Sequence, residues 1–127
     1  MKKNRKVPII RSFGYAFVGI WTGIKKERNM KIHCLAVILV TAAGIFFGIT
    51  ATEWCICFLL FGMVVSLELV NTAVEAVVDL VTEEKKPLAK IAKDTAAGAV
   101  LFTAIMAVFI GCIIFIPYAF EWLRSVF

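Results

Sequence analysis

The chain has 127 residues, of which 61% are hydrophobic, with a mean hydropathy of +0.91 and a formal net charge of +5. A water-soluble core of this size does not need so much apolar surface, so the composition predicts one integral membrane domain over residues 1–127. A basic chain can bind nucleic acid, but here the lysines and arginines flank apolar segments. Membrane topology therefore explains the charge, and no nucleic-acid partner is expected.

The first predicted element is an amphipathic helix over about residues 7–28. Apolar residues recur at three- and four-residue intervals from Ile9 to Ile24, with polar and basic residues between them. This pattern is typical of a helix that lies on a membrane surface. A cleavable signal peptide is the alternative, but no clean apolar stretch or small-residue cleavage site follows the basic amino terminus.

Three apolar segments follow, over about residues 33–49, 54–80 and 95–120, each near or above the ~20 residues that cross a bilayer. Nine lysines and arginines lie in residues 1–31, four in residues 81–94, and one after the third segment. In a chain with three spans, residues 1–31 and 81–94 lie on the same side of the membrane. The positive-inside rule therefore predicts a cytoplasmic amino terminus and an external carboxyl terminus. The expected location is therefore a membrane.

Four polar residues share one face at the end of the second apolar segment, namely Glu68, Asn71, Glu75 and Asp79. At 100° per residue they fall within an arc of about 80° on a helix. A charge facing lipid at mid-bilayer costs about 2.5–3.5 kcal/mol, so these side chains must face protein, water or a metal.

The depth of this face suits chemistry on a lipid. Counted from Trp54 at about 1.5 Å per residue, Glu68 lies roughly 21 Å into a hydrocarbon core of ~30 Å, and Asp79 lies beyond it. One carboxylate is then at the level of a lipid headgroup, and others are at the level of soluble anions. An enzyme that joins a lipid hydroxyl to a cytosolic phosphate donor would need this arrangement.

A metal ion is expected with these carboxylates, because carboxylates brought together repel unless protons or a hard cation hold them. Glu27 is the only acidic residue in the basic amino-terminal region, and with Glu75 it could bind Mg²⁺. The four lysines of residues 81–94 could neutralise phosphate charge, although membrane-flanking lysines usually serve topology.

Several alternatives remain open at this level. Lys93 and Asp94 could form an exposed ion pair with Asp94 as an N-cap, and Glu68 could take part only in polar contacts between helices. A small proton-coupled transporter would also bury a carboxylate. The chain has no G-x-x-x-x-G-K-[ST] and no G-x-G-x-x-G sequence, so any nucleotide site must be built without these motifs.

The segment Glu68-Leu69-Val70-Asn71-Thr72-Ala73-Val74-Glu75 resembles the signature E-x-x-N-[ST]-A-[IV]-E of the small prokaryotic diacylglycerol kinase family. The resemblance continues through Ala92-Lys93-Asp94 and the small residues that follow. The segments from Glu27 to His33 and from Pro87 to Lys90 are more similar to the undecaprenol kinase branch.

This resemblance implies an all-α homotrimer of three-span subunits, each with an amphipathic surface helix. It implies phosphorylation of a lipid alcohol by ATP and Mg²⁺, with undecaprenol the first expectation and diacylglycerol the alternative. By motif position Glu68 matches the catalytic base, and Glu27 and Glu75 match metal ligands. The residues that match the nucleotide site are Tyr15, Asn71, Glu84, Lys85, Lys86, Lys93 and Asp94. Phe17 stands where the diacylglycerol kinases carry a tryptophan.

Overall fold

The computed structural model describes residues 7–127, which form four α-helices joined by short connections. The helices are α1 (Ile9–Lys26), α2 (Arg28–Phe47), α3 (Ala51–Val81) and α4 (Pro87–Val126). Helices α2, α3 and α4 are each long and apolar enough to cross a membrane. The all-helical class and the three long apolar helices are therefore confirmed. Residues 1–6, which hold four of the nine basic residues of the amino-terminal region, lie outside the described residues.

A single non-helical residue, Glu27, joins α1 to α2. Its extended backbone, with φ −92° and ψ 123°, lets the chain change direction between the two helices. Near its end, α1 packs on α3 at Gly23, where an added β-carbon would lie 2.6 Å from Cδ2 of Leu69. Most other α1 side chains are exposed, so the helix is fixed mainly at its carboxyl-terminal end.

The turn between α2 and α3 is shorter than the sequence predicts. Helix α2 ends at Phe47, and its C-cap is Gly48, whose φ of 65° lies in the left-handed region that favours glycine. The Gly48 N–H donates to the Gly44 carbonyl at 3.0 Å. Thr50 then caps α3: its hydroxyl accepts from the Glu53 N–H at 3.3 Å, and the Thr50 N–H donates to Glu53 Oε2 at 2.8 Å. Residues 51–53, which lie between the first two predicted spans, are therefore helical.

Helix α3 packs most extensively on α4, and a polar contact lies near each end of this antiparallel pair. The Tyr118 hydroxyl donates to Glu53 Oε2 at 2.7 Å, and Lys93 Nζ donates to Asp79 Oδ1 at 2.5 Å. The two contacts are separated by 26 residues on α3 and 25 on α4, which is roughly 38 Å of helix. The two helices thus keep one register from end to end.

Helix α4 begins eight residues before the predicted span, at Pro87, a residue suited to the first turn of a helix. Its N-cap is Lys86, so the alternative of Asp94 as an N-cap is wrong. Asp94 instead pairs with Lys90 one turn earlier on the same helix. At 40 residues α4 is roughly 60 Å long, which is longer than a bilayer core of ~30 Å, so its first turns extend beyond the apolar region.

Little of the apolar surface is buried within one chain. The main core cluster consists of Ile49, Cys57 and Ile114, and aromatic side chains from α2, α3 and α4 surround it. Large apolar side chains along all four helices are exposed. Such surface needs lipid or other protein chains to cover it.

Candidate active site

Glu68 lies at the centre of the candidate site and is the most deeply buried charged side chain among the described residues, at 1% exposure. Its Oε2 lies 4.0 Å from Nε2 of His33 on α2, which is too far for a hydrogen bond. Neither carboxylate oxygen has a hydrogen-bond partner within residues 7–127. Since buried polar atoms are nearly always paired, these oxygens are available to a ligand, a proton or water.

Asn71 and Glu75 continue the polar face of α3 toward the α3–α4 loop. Asn71 is buried, and its Nδ2 donates to Glu75 Oε1 at 3.4 Å, while its Oδ1 has no partner among the described residues. Glu75 is half-buried and Asp79, one turn further on, is exposed. The shared face predicted from the spacing is therefore present, and its exposure rises steadily from Glu68 to Asp79.

A cavity of about 240 Å³ lies beside this face and is bounded by α2, α3 and α4. Its polar lining comes from the side chains of Glu68, Asn71, His33 and Asn29. The rest of the lining is apolar, namely Ile32, Ala97, Val100, Leu101 and Ala104. This cavity volume is several times the ~30 Å³ that one water molecule occupies in the liquid, so a polar group of a ligand fits next to Glu68.

Asn29 and His33 are candidate site residues to which the sequence analysis assigns no role. Both line the cavity from α2. The available signal was their four-residue spacing, which places them on one helix face directly after Glu27. That spacing alone does not reveal that this face of α2 opposes Glu68.

The other predicted site residues are spread around the cytoplasmic end of the predicted topology. Glu27, at the α1–α2 junction, is half-buried. Lys93 contacts Asp79, and Glu84 contacts Lys86 at 3.6 Å in the exposed α3–α4 loop. Within residues 7–127, four residues predicted for the nucleotide site do not line the cavity: Tyr15, which is 66% exposed, Glu84, Lys85 and Lys86.

The donor atoms of this face suit a hard cation. The atoms without a partner within residues 7–127 are oxygens of Glu68 and Asn71, and Glu75 adds a second carboxylate on the same face. No group of three or more histidine, cysteine, aspartate or glutamate side chains that could hold a metal occurs within residues 7–127. Mg²⁺ is usually bound by one or two carboxylates together with water and substrate phosphates.

Long apolar helices that enclose an unpaired carboxylate beside a cavity are typical of a helical membrane protein, here with its candidate site inside the bundle. The chain belongs to the prokaryotic diacylglycerol kinase family, whose model matches residues 14–115. It is therefore a lipid kinase. This membership favours the kinase over the proton-coupled transporter.

Three relatives illustrate the range of the family. An undecaprenol kinase from Bacillus subtilis is 44% identical over 91% of this chain and 94% of its own length. A diacylglycerol kinase from Synechocystis is 41% identical over 86% of this chain, which spans 63% of that longer protein. A diacylglycerol kinase from Escherichia coli is 30% identical over 84% of this chain and 87% of its own length.

Proposed function

We propose that the chain transfers the γ-phosphate of ATP to the hydroxyl of undecaprenol and so forms undecaprenyl phosphate. The observation that carries this proposal is the buried Glu68 carboxylate, whose oxygens have no partner in the described chain and line a cavity. The similarity to an undecaprenol kinase over nearly the full length of both chains supports the choice of lipid. Diacylglycerol, which would give phosphatidic acid, is the second candidate because other relatives are diacylglycerol kinases.

Glu68 acts as the general base in this reaction. As the lipid hydroxyl oxygen forms its bond to the γ-phosphorus, the bond from that phosphorus to the bridging oxygen of ADP breaks. The hydroxyl proton passes to the Glu68 carboxylate, and ADP leaves with the electron pair of the broken bond. The apolar surroundings of Glu68 exclude bulk water, which would otherwise compete with the lipid as acceptor.

The phosphates bind on the outer part of the same face. Glu27 and Glu75 would hold Mg²⁺, and the bound cation would neutralise phosphate charge. Lys93 places a positive charge near the γ-phosphate, and Asn71 orients Glu75 through their hydrogen bond. The remaining nucleotide contacts are assigned to Tyr15, Asp94 and the loop residues Glu84, Lys85 and Lys86.

In this proposal the protein is a homotrimer in the bacterial plasma membrane, with the amino terminus cytoplasmic and the carboxyl terminus outside. Helix α1 lies on the cytoplasmic surface, with exposed Phe13, Phe17 and Trp21 available to lipid. The exposed apolar faces of α2, α3 and α4 support both lipid contact and contact with other subunits. One chain encloses its cavity only on the α2, α3 and α4 side, so we place the complete site between subunits.

Transfer of labelled γ-phosphate from Mg-ATP by the purified protein in lipid vesicles tests the proposal. Undecaprenol and diacylglycerol are supplied side by side, and we expect undecaprenol to be the better acceptor. Preference for diacylglycerol would move the enzyme to the second candidate reaction. Failure of a folded sample to label either lipid would refute the proposed activity.

A further inference from the structure

The contact between Lys93 and Asp79 joins two helices at the outer end of the site. Lys93 Nζ lies 2.5 Å from Asp79 Oδ1, and the two residues are 14 positions apart across the α3–α4 loop. Their side chains are 38% and 62% exposed, respectively. An ion pair this exposed contributes little to the stability of a fold. Its main effect is on the position of the Lys93 ammonium.

The register of α3 and α4 places the Lys93–Asp79 pair on the side of the cavity that is nearer the α3–α4 loop. With Asp79 opposite Lys93, the antiparallel helices bring Asn71 opposite Leu101 and Glu68 opposite Ala104, and all four of these deeper residues line the cavity. Lys93 therefore stands at the outer opening of the groove that contains Glu68. Glu75 lies between the two levels, one turn below Asp79 and roughly 6 Å along the helix axis.

Lys93 contacts Asp79, and Glu75 lies one helical turn from Asp79 on the same face of α3. A lysine ammonium on its flexible four-carbon stem moves readily between nearby anions. If Lys93 paired with Glu75 instead, it would occupy the carboxylate that the proposed function assigns to Mg²⁺.

We propose that Asp79 is a positioning residue of the nucleotide site, which holds the Lys93 ammonium at the opening of the α3–α4 groove and keeps it away from Glu75. This inference rests on the proposed function, in which Lys93 contacts phosphate and Glu75 binds the cation. Because the pair with Asp79 is exposed, an incoming phosphate exchanges easily with it. Asp79 itself touches neither substrate nor metal.

The test measures binding of the non-hydrolysable Mg-AMP-PNP complex by calorimetry, with the protein in lipid nanodiscs, for wild type, Asp79→Asn, Lys93→Met and the double variant. Asp79→Asn should weaken binding about threefold to fivefold, the range of one exposed ion pair, and should raise the Mg²⁺ concentration needed for half-maximal binding. Asp79→Glu keeps the carboxylate and should restore most of the affinity. In the Lys93→Met background, Asp79→Asn should have no further effect, because the two residues act through one contact.

Glu83→Gln is the matched control, since it also removes one exposed negative charge, in the α3–α4 loop two residues beyond the end of α3. Loss of a negative charge by itself favours binding of a polyanion, so only the loss of positioning predicts weaker binding by Asp79→Asn. Wild-type affinity in Asp79→Asn, or equal weakening with and without Lys93, would overturn the inference while leaving the kinase proposal intact. No binding of Mg-AMP-PNP by folded wild-type protein would refute the proposed function, and this inference with it.

Discussion

Replacing Gly44 by alanine tests a close contact between α2 and α3. A β-carbon at this position would lie 2.7 Å from Cη2 and 2.9 Å from Cζ2 of Trp54, and 3.1 Å from Cδ1 of Ile49. Carbon atoms in good contact are about 3.5–4.0 Å apart, so the indole ring would have to move by roughly 1 Å. The ring stacks on Phe58 at a centroid distance of 5.5 Å, so it does not move alone.

The expected change in the free energy of unfolding has two opposing parts. Forcing one extra methyl group into a packed contact costs about 1–3 kcal/mol. Replacing glycine by alanine inside a helix recovers up to about 1 kcal/mol. Gly62→Ala is the matched control, because a β-carbon at Gly62 meets no atom within 4 Å in the chain. The difference between the two variants isolates the packing cost.

Thermal unfolding in detergent micelles, followed by circular dichroism, measures this difference. At roughly 3 °C per kcal/mol for a chain of this size, Gly44→Ala should unfold about 3–9 °C below Gly62→Ala. Trp54→Phe removes the two ring carbons that clash, so Gly44→Ala should be close to neutral in that background. Equal midpoints for the two glycine variants, or the same loss with phenylalanine at position 54, would refute the packing argument.

Three further predictions concern the base and the turn between α2 and α3. Glu68→Gln should lower the rate of phosphate transfer to lipid about 10²-fold to 10⁴-fold while the circular dichroism spectrum stays unchanged. The control is Glu121→Gln, because Glu121 is an exposed glutamate on the last turns of α4. Normal turnover by Glu68→Gln would show that Glu68 is not the base. Gly48→Ala should cost about 1–2 kcal/mol because Gly48 has a φ of 65°, and an unchanged unfolding midpoint would contradict this origin. Thr50→Ala should lower the free energy of unfolding by about 1 kcal/mol, because it removes the N-cap of α3, and Thr50→Asp should restore it. Both effects are measured as changes in the unfolding midpoint. Equal midpoints for alanine and aspartate would show that the cap hydrogen bond is not the cause.

The sequence predicted the helices well but placed several of their ends wrongly. Hydropathy reports where a helix is apolar, and it carries no signal for helical turns that continue into water. The first two turns of α4 are rich in lysine and were interpreted as a loop, although Pro87 is favoured at a helix start. The start of α3 was also available, because Thr50 and Glu53 have the spacing of a capping box.

The site was predictable where it depends on one helix and unpredictable where it depends on two. Helical spacing placed Glu68, Asn71 and Glu75 on one face, since the geometry of a single helix fixes that relation. The partners of this face come from other helices, and sequence spacing does not state which face of α2 turns toward α3. His33 was therefore noticed and left without a role in the site.

The two polar contacts at the ends of α3 and α4 have a consequence for the cavity between them. Tyr118 with Glu53 and Lys93 with Asp79 hold the same register at positions roughly 38 Å apart. A slip of α4 by one residue would rotate its side chains by 100° relative to α3 and remove both contacts together. The small Ala97 and Ala104 side chains would then leave the cavity wall, and larger neighbours such as Phe102 and Ile105 would turn toward Glu68. The space beside the buried Glu68 carboxylate thus depends on the Tyr118–Glu53 and Lys93–Asp79 contacts, although neither of them lines the cavity.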